Sequence, residues 1–381
     1  MMSLRIGLML RNIDEHGGAA LYTRSIVDVL LRIDQDNEYV LVFNTELDRE
    51  RYGRAHARNI VVEAPSRILW DQIAVPRALA SEHVDVVLGL KHSIPLHSFA
   101  PRVFVMHGAD WITFPQNYYA LDRLYHCLVL PLYLRSADRV ITVSNDSASW
   151  LLAYMPEIAD KIAVIPHGVA PEFRPVTDPA QREAVRRHYN LPEHFLLYVG
   201  QIYPQKNIAG ILKALALLGP NLAHPLVMAG RASLKAEQDL RLIDELGLGD
   251  RVRFIKWVAQ DELPVLYSLA DMLVFPSLYE GFGIPLLEAM ACGCPVLTST
   301  VGACPEVVGD AGLCVDPTVP DAIAAGIERL ARDPDLAEKL RVRGLERVRS
   351  FTWENAAGAT LAVLKAAAAR SPTAEPAGKA A

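Results

Sequence analysis

Short, almost wholly apolar runs recur along this chain, and a helical pattern follows nearly every one. In the first half the runs are LRIGLML, YVLVF, VDVVLGL, RVFVM and RVITVS. In the second half they are FLLYVG, LVMAG, RVRFI, DMLVFPS, CPVLTS and GLCVDP. Between them, segments such as AALYTRSIVDVLLRI, SASWLLAYM and NIAGILKALALL repeat apolar residues at intervals of three and four. A strand that does not alternate with polar residues has both faces buried, and strands separated by helices pair in parallel. The chain is therefore α/β, with parallel sheets covered by helices on both sides.

Its 381 residues are enough for two such domains. IPHGVAPEFRPVTDP, near residues 166–179, is rich in proline and lacks periodicity, which marks a hinge. We expect an N-terminal domain over 1–170, a C-terminal domain over 171–350 and a closing segment over 351–381. Within that segment ENAAGATLAVLKAAAA reads as a helix and SPTAEPAGKAA as a frayed, disordered tail. Doubly wound sheets bind ligands at the carboxyl ends of their strands, so two of them joined by a hinge enclose a cleft there.

Composition removes several function classes. The formal net charge is -6 and no long basic run is present, which argues against nucleic acid as a partner. Cys127, Cys292, Cys294, Cys304 and Cys314 are odd in number and lie mostly in apolar stretches, so we expect reduced thiols. Cys292 and Cys294 have a single residue between them, which is not the spacing of a zinc or redox motif. The opening MMSLRIGLML is too short for a signal peptide, and no apolar window has the length of a membrane span. CLVLPLYL reads as a buried helix, with peripheral contact to a membrane surface as the other option. The expectation is a cytoplasmic protein, possible peripheral membrane contact included.

The chemistry concentrates in PSLYEGFGIPLLEAMACGCPV. DMLVFPS is a strand and YEGFG a glycine turn at its carboxyl end. Ile284-Pro285 opens the next helix, where the missing N–H of proline costs nothing. The free N–H groups of that helix start make an anion site, and Gly281 and Gly283 let a ligand approach the backbone. Glu288 lies one turn in, flanked by Leu286, Leu287, Ala289, Met290 and Ala291. A carboxylate in such company needs donors, and the vicinal diol of a ribose offers two. Glu280, at the strand end, faces the cleft beside the anion.

These residues resemble the glutamate-seven-residues-glutamate signature of retaining glycosyltransferases of family 4, the group 1 glycosyltransferases, and the likeness runs over nearly the whole chain. It implies the GT-B fold, two doubly wound Rossmann-like domains facing each other across a cleft. The donor would sit on the second domain, and the acceptor mostly on the first. It implies that Glu288 holds the ribose hydroxyls and that Glu280 meets the hydroxyls of the transferred sugar. The backbone around Phe282, Gly283 and Ile284 would meet the diphosphate and the sugar.

LLYVGQIYPQKN supplies the cation that a departing diphosphate needs. It is a strand, then Gly200, a loop, and Lys206 before a helix. The loop looks like the family's glycine-to-lysine phosphate loop. Many members carry an arginine near the glycine or just before the lysine, and here Gln201 and Gln205 stand in those places. In the first half, Gly17-Gly18 precede a helix and resemble the family's glycine-rich loop facing the acceptor and the donor phosphate. His107, in MHGADW, ends a strand, where it can bond a sugar hydroxyl or polarise a carbonyl. The resemblance puts a histidine of this kind beside the donor sugar. His167 is expected to order the hinge, and Ser144, in VITVSNDSASWLL, to cap a helix.

The function expected is a retaining hexosyltransferase of cell-surface polysaccharide biosynthesis, mannosyltransferase-like. It would use a GDP- or UDP-linked nucleotide-sugar, GDP-mannose first, and a glycan or lipid-linked acceptor. No Asp-x-Asp metal site falls where the diphosphate binds, so neither a metal nor another cofactor is expected. The alternatives are a nucleotide-sugar epimerase or a phosphorylase of the same fold, or a nucleotide-sugar-binding protein without catalysis. A dinucleotide oxidoreductase is disfavoured because no G-x-G-x-x-G follows the first strand.

Overall fold

In a computed structural model, the described residues are 3–369 apart from 12, 14, 16, 47–51, 223 and 233–235. They form two compact units. The first runs from Met1 to His167 and takes in Trp353–Ala381, and the second is Gly168–Thr352. The tail SPTAEPAGKAA, expected to be disordered, lies outside the described residues.

The first unit is built on seven parallel strands: β1 (Arg5–Leu10), β2 (Glu38–Phe43), β3 (Ala57–Val61), β4 (Val86–Gly89), β5 (Arg102–Met106), β6 (Arg139–Thr142) and β7 (Ile162–Val164). Their order in the sheet is β3-β2-β1-β4-β5-β6-β7. Residues 6–10 of β1 are all buried, as they must be in a sheet covered on both faces. On one face Met9, Val40, Val42 and Val87 pack with Trp70, Val75 and Leu79. The helix Trp353–Ala368 belongs to this unit and lies against the helix Gly18–Ile33 and against β4, β5 and β6.

The helix Ala120–Ser136 corrects the expectation of burial for CLVLPLYL. Leu130, Tyr133 and Leu134 are in the core, while Leu121, Leu124, Leu128 and Leu132 are exposed. Only one side of this helix packs into the core, and the leucines of the other side stay exposed, so the apolarity of the run does not report its burial. Ser144 is the N-cap of Asn145–Tyr154, with its Oγ accepting from Ser147 N at 3.1 Å. Replacing it with alanine removes that acceptor from a buried helix start. We expect Ser144→Ala to lower stability by about 1 kcal/mol in urea unfolding, with the slope unchanged.

The second unit has six parallel strands: β8 (Leu196–Val199), β9 (Leu226–Ala229), β10 (Val252–Lys256), β11 (Met272–Phe275), β12 (Val296–Ser299) and β13 (Gly312–Val315). Their order is β10-β9-β8-β11-β12-β13. The chain therefore reverses direction between β8 and β11, which are neighbours in space but not in sequence. That reversal is the topological switch point, where the loops after two adjacent strands open toward a ligand. Both units are Rossmann-like.

Candidate active site

The two loops at the switch point carry the sequence candidates of the second unit. After β8 the chain passes Gly200, at φ 146°, and a short helical turn Pro204–Lys206. A Cβ on the neighbouring Gly230 would lie 1.9 Å from the Gly200 carbonyl oxygen, so the backbones after β8 and β9 touch there. Asn207 then takes a left-handed conformation and starts the helix Ile208–Leu218. Its side chain is turned inward, where Nδ2 donates to Pro276 O at 3.0 Å and Pro317 O at 2.7 Å. Leu278 N donates to Gln205 O at 2.8 Å. These bonds lock the Lys206 loop to the segment that follows β11.

The consequence is that Lys206 and Glu280 meet. Lys206 Nζ lies 2.5 Å from Glu280 Oε1, and the same oxygen accepts from Ser277 Oγ at 2.7 Å. The lysine ammonium also stands 5.4 Å from the centre of the Phe275 ring. Both side chains are largely buried, with 18% and 9% of their surface exposed. The sequence places these groups in one region with separate tasks. The structure instead makes them one ion pair.

Gly283 adopts φ 96°, a conformation that glycine reaches at no cost, and starts the helix Ile284–Ala291 with Pro285 in its first turn. Phe282 is buried and meets Phe351 edge-on at 6.1 Å. Glu288 is buried, only 7% exposed, as its apolar flanks imply. Tyr267, from the helix Leu263–Leu269, donates its hydroxyl to Glu288 Oε2 at 2.9 Å. Burial pushes the Glu288 carboxyl up to about 7, against the opposing pull of that hydrogen bond. Glu288 is thus a carboxylate held in reserve, costly when charged and improved by any ligand that brings further donors.

Sequence reasoning missed Ser277, Tyr267 and Asn207. Asn207 follows Lys206 directly at a helix start, a position where asparagine is a signal. Ser277 is three residues before Glu280 in PSLYEG, which was legible as proximity but not as a hydrogen bond. Nothing in LPVLYSL distinguishes Tyr267 from an ordinary core tyrosine.

In the first unit Gly17 has φ 114° and precedes the helix Gly18–Ile33, both glycines being exposed. An added Cβ at Gly17 would meet nothing within 4 Å, so open space lies over this turn. His107 follows β5 and stays partly exposed, yet protein surrounds its ring closely. Its Nε2 is 2.8 Å from Leu90 O, which fixes the proton on that nitrogen because a carbonyl only accepts. Nδ1 has no hydrogen-bond partner. Desolvation lowers the imidazole to about 4, so His107 is neutral at pH 7. This corrects the idea that His107 polarises a carbonyl: its N–H is committed, and what it offers is a lone pair for a hydroxyl donor. Tyr22 contacts the ring edge-on at 4.7 Å, and His167 lies 6.0 Å away. His167 is buried and stacks on Trp353 at 5.8 Å, so it ties the end of the first segment to the returning helix.

Two family models match the chain. Residues 16–173 match Glycosyltransferase Family 4 and residues 181–347 match Glycosyl transferases group 1. The O-antigen chain mannosyltransferase B of Escherichia coli is 35% identical over 273 residues, covering 71% of each chain. The serotype-specific mannosyltransferase WbdA of Escherichia coli is 32% identical over 226 residues, which is 58% of this chain but only 28% of that longer one. Among solved structures, a sucrose-phosphate synthase from Thermosynechococcus elongatus aligns with TM-score 0.77 at 24% identity, over 95% of this chain and 98% of its own. HepE from Anabaena, solved with UDP and glucose, aligns with TM-score 0.75 at 18% identity, over 95% of this chain and 100% of its own. At such identities the structures speak for the fold, which is GT-B. The chain belongs to the group 1 glycosyl transferases of glycosyltransferase family 4.

Proposed function

We propose that this glycosyltransferase moves a hexose, mannose first, from a nucleoside diphosphate sugar to a glycan or lipid-linked acceptor with retention of anomeric configuration. The observation that carries the reading is the Lys206–Glu280 pair beside the start of the Ile284 helix and the buried Glu288. Lys206 and the helix N–H groups supply positive potential for a diphosphate without a metal ion. Glu288 takes the ribose diol, and Glu280 takes sugar hydroxyls while its other contacts hold it in place. Gly200, Gln201 and the backbone of Phe282, Gly283 and Ile284 complete the donor side on the second unit. Gly17, Gly18 and His107 serve the substrate from the first unit, His107 through its Nδ1 lone pair.

Glu280 Oε1 is already bonded to Lys206 Nζ and Ser277 Oγ, so we assign this carboxylate to positioning and not to deprotonating the acceptor. The acceptor proton instead goes to the departing diphosphate. The C1–O bond to phosphate breaks and the C1–O bond to the acceptor forms on the same face, which retains configuration. The mannosyltransferase relatives support mannose as the sugar transferred and a role in O-antigen-like polysaccharide assembly, and GDP as its carrier is our own reading. The reaction would then run in the cytoplasm, at the inner face of the membrane where a lipid-linked acceptor is displayed. Among the described residues no helix is long and apolar enough to cross a membrane.

The test is release of nucleoside diphosphate from GDP-, UDP- and ADP-sugars in the presence of EDTA and a mixed pool of glycan and lipid-linked acceptors. The anomeric configuration of the product is then read by NMR. We expect release from GDP-mannose and an α-linked product. Loss of activity in EDTA, or an inverted product, would refute the metal-free or the retaining part respectively.

A further inference from the structure

The amino-terminal ends of the second sheet's strands hold a group of side chains outside the proposed transfer site. His194, His224 and Asp271 stand one or two residues before the neighbouring strands β8, β9 and β11. The register explains why they converge. Leu196 pairs with Leu226 on one side and with Met272 on the other. His194 and His224 each stand two residues before their paired leucine, and Asp271 one residue before Met272. His194 and His224 thus stand at matching positions on adjacent strands about 4.8 Å apart, and Asp271, opposite Phe195 on the other side of β8, turns its carboxylate toward both rings.

We propose that His194, His224 and Asp271 form a binding site for a divalent transition metal ion of the zinc type. One donor atom from each lies within 4.8 Å of the other two. His194 Nδ1 is 3.0 Å from Asp271 Oδ1, and His224 Nε2 is 3.8 Å from Asp271 Oδ2. Donors about 2.0–2.2 Å from a tetrahedral ion are themselves about 3.3 Å apart, so small side-chain rotations close the sphere. Two imidazoles and one carboxylate are a borderline donor set, which suits zinc, nickel or cobalt and is poor for magnesium or calcium.

Two features favour a built site over a chance surface contact. Phe195 N donates to Asp271 Oδ2 at 2.7 Å, which orients the carboxylate as outer contacts orient metal ligands. His224 Nε2 lies 3.8 Å from Asp271 Oδ2, beyond hydrogen-bond reach, so that nitrogen is left for an ion. The three side chains are 64%, 19% and 29% exposed, so an ion reaches them from solvent and a fourth position stays open to water. Lys206 and Glu280 follow the carboxyl ends of β8 and β11, whereas this group precedes their amino ends. The ion would therefore clamp three strand starts and take no part in sugar transfer.

The test uses the full chain carrying Cys127→Ser, which removes an exposed free thiol as a competing zinc ligand. The protein is stripped with chelator and titrated calorimetrically with zinc, and in parallel with cobalt followed by its visible absorption. We expect one saturable site at micromolar or tighter affinity, a tetrahedral cobalt spectrum, and a zinc-dependent rise in melting temperature. His194→Ala and His224→Asn should each weaken binding by more than the about 100-fold that loss of an outer contact can cost. Unchanged far-UV circular dichroism shows that these variants fold. Failure of the wild-type protein to bind zinc saturably, or full binding by both variants, would overturn the proposal. EDTA should lower the melting temperature of the zinc-loaded protein yet leave sugar transfer intact, so the outcome is independent of the donor chemistry.

Discussion

Lys206→Ala should abolish most turnover and also destabilise the fold, and the second effect should be reversible by a change at Glu280. Lys206 stands against Glu280 Oε1 at 2.5 Å in a largely buried pocket. Removing the ammonium takes away the fixed charge that we propose stabilises a departing diphosphate, an effect on the order of 10²–10³ in kcat. It also leaves Glu280 buried with Ser277 as its remaining side-chain donor. Breaking one side of a buried pair costs about 3–5 kcal/mol, and the partial exposure of Lys206 brings our expectation down to about 2 kcal/mol. In the double variant Lys206→Ala/Glu280→Gln the uncompensated charge is gone, so the melting temperature should recover while kcat stays low. Lys206→Arg should keep stability and part of the rate. Denaturant unfolding and steady-state turnover on the same preparations decide the matter. A single variant with normal turnover would remove Lys206 from the reaction. A double variant no more stable than the single one would show that the pair is not what holds the two loops.

The pairing of these residues shows where sequence reading stops. The strands were legible because each central strand is a continuous apolar run, which leaves parallel pairing as the economical explanation. The two strands that escaped, β3 and β7, are both sheet edges. ARNIV in β3 carries Arg58 and Asn59 and is only half-buried, and IAV in β7 is three residues long. Polar residues in β3 and the shortness of β7 remove the continuous apolar run, which the edge strand β13 keeps. Glu288 was legible for the opposite reason: its environment is local, because the helix that carries it supplies its apolar flanks. Lys206 and Glu280 are 74 residues apart, and what unites them is the crossover that sets β8 beside β11. Hydrophobic periodicity carries no information on strand order. The same holds for His194, His224 and Asp271, which come together only because β9, β8 and β11 are neighbours in the sheet. Chemistry that depends on one element can be read from a sequence, while chemistry that depends on sheet order requires the fold.

Glu288→Gln should change stability and donor binding in opposite directions, and both changes should depend on pH. In the folded, unliganded protein the Glu288 carboxyl is raised from 4.5 to about 7 by burial. Between those values the folded state keeps a proton that the unfolded chain releases. The contribution of this group to stability is therefore fully present below about pH 4.5 and is lost as pH rises through about 7. At about 1.4 kcal/mol per pKa unit the penalty above pH 7 is on the order of 3–4 kcal/mol. Glutamine removes the penalty and can still accept the Tyr267 hydroxyl. The unliganded variant should be more stable than wild type at pH 8 and nearer to it at pH 5. Donor binding should go the other way. Two ribose hydroxyls satisfy a carboxylate better than an amide, which presents one acceptor and one unwanted donor, so KM for the donor should rise about 10–100-fold at pH 8. Below pH 7 the wild-type carboxyl must lose its proton to bind, so its affinity falls and the gap between the two proteins narrows. Thermal melts without ligand and donor KM at pH 6 and 8 test both arms. A KM ratio that does not move with pH would sever Glu288 from the ribose. A variant less stable than wild type at pH 8 would mean that the buried carboxylate has stronger support than burial and one tyrosine provide.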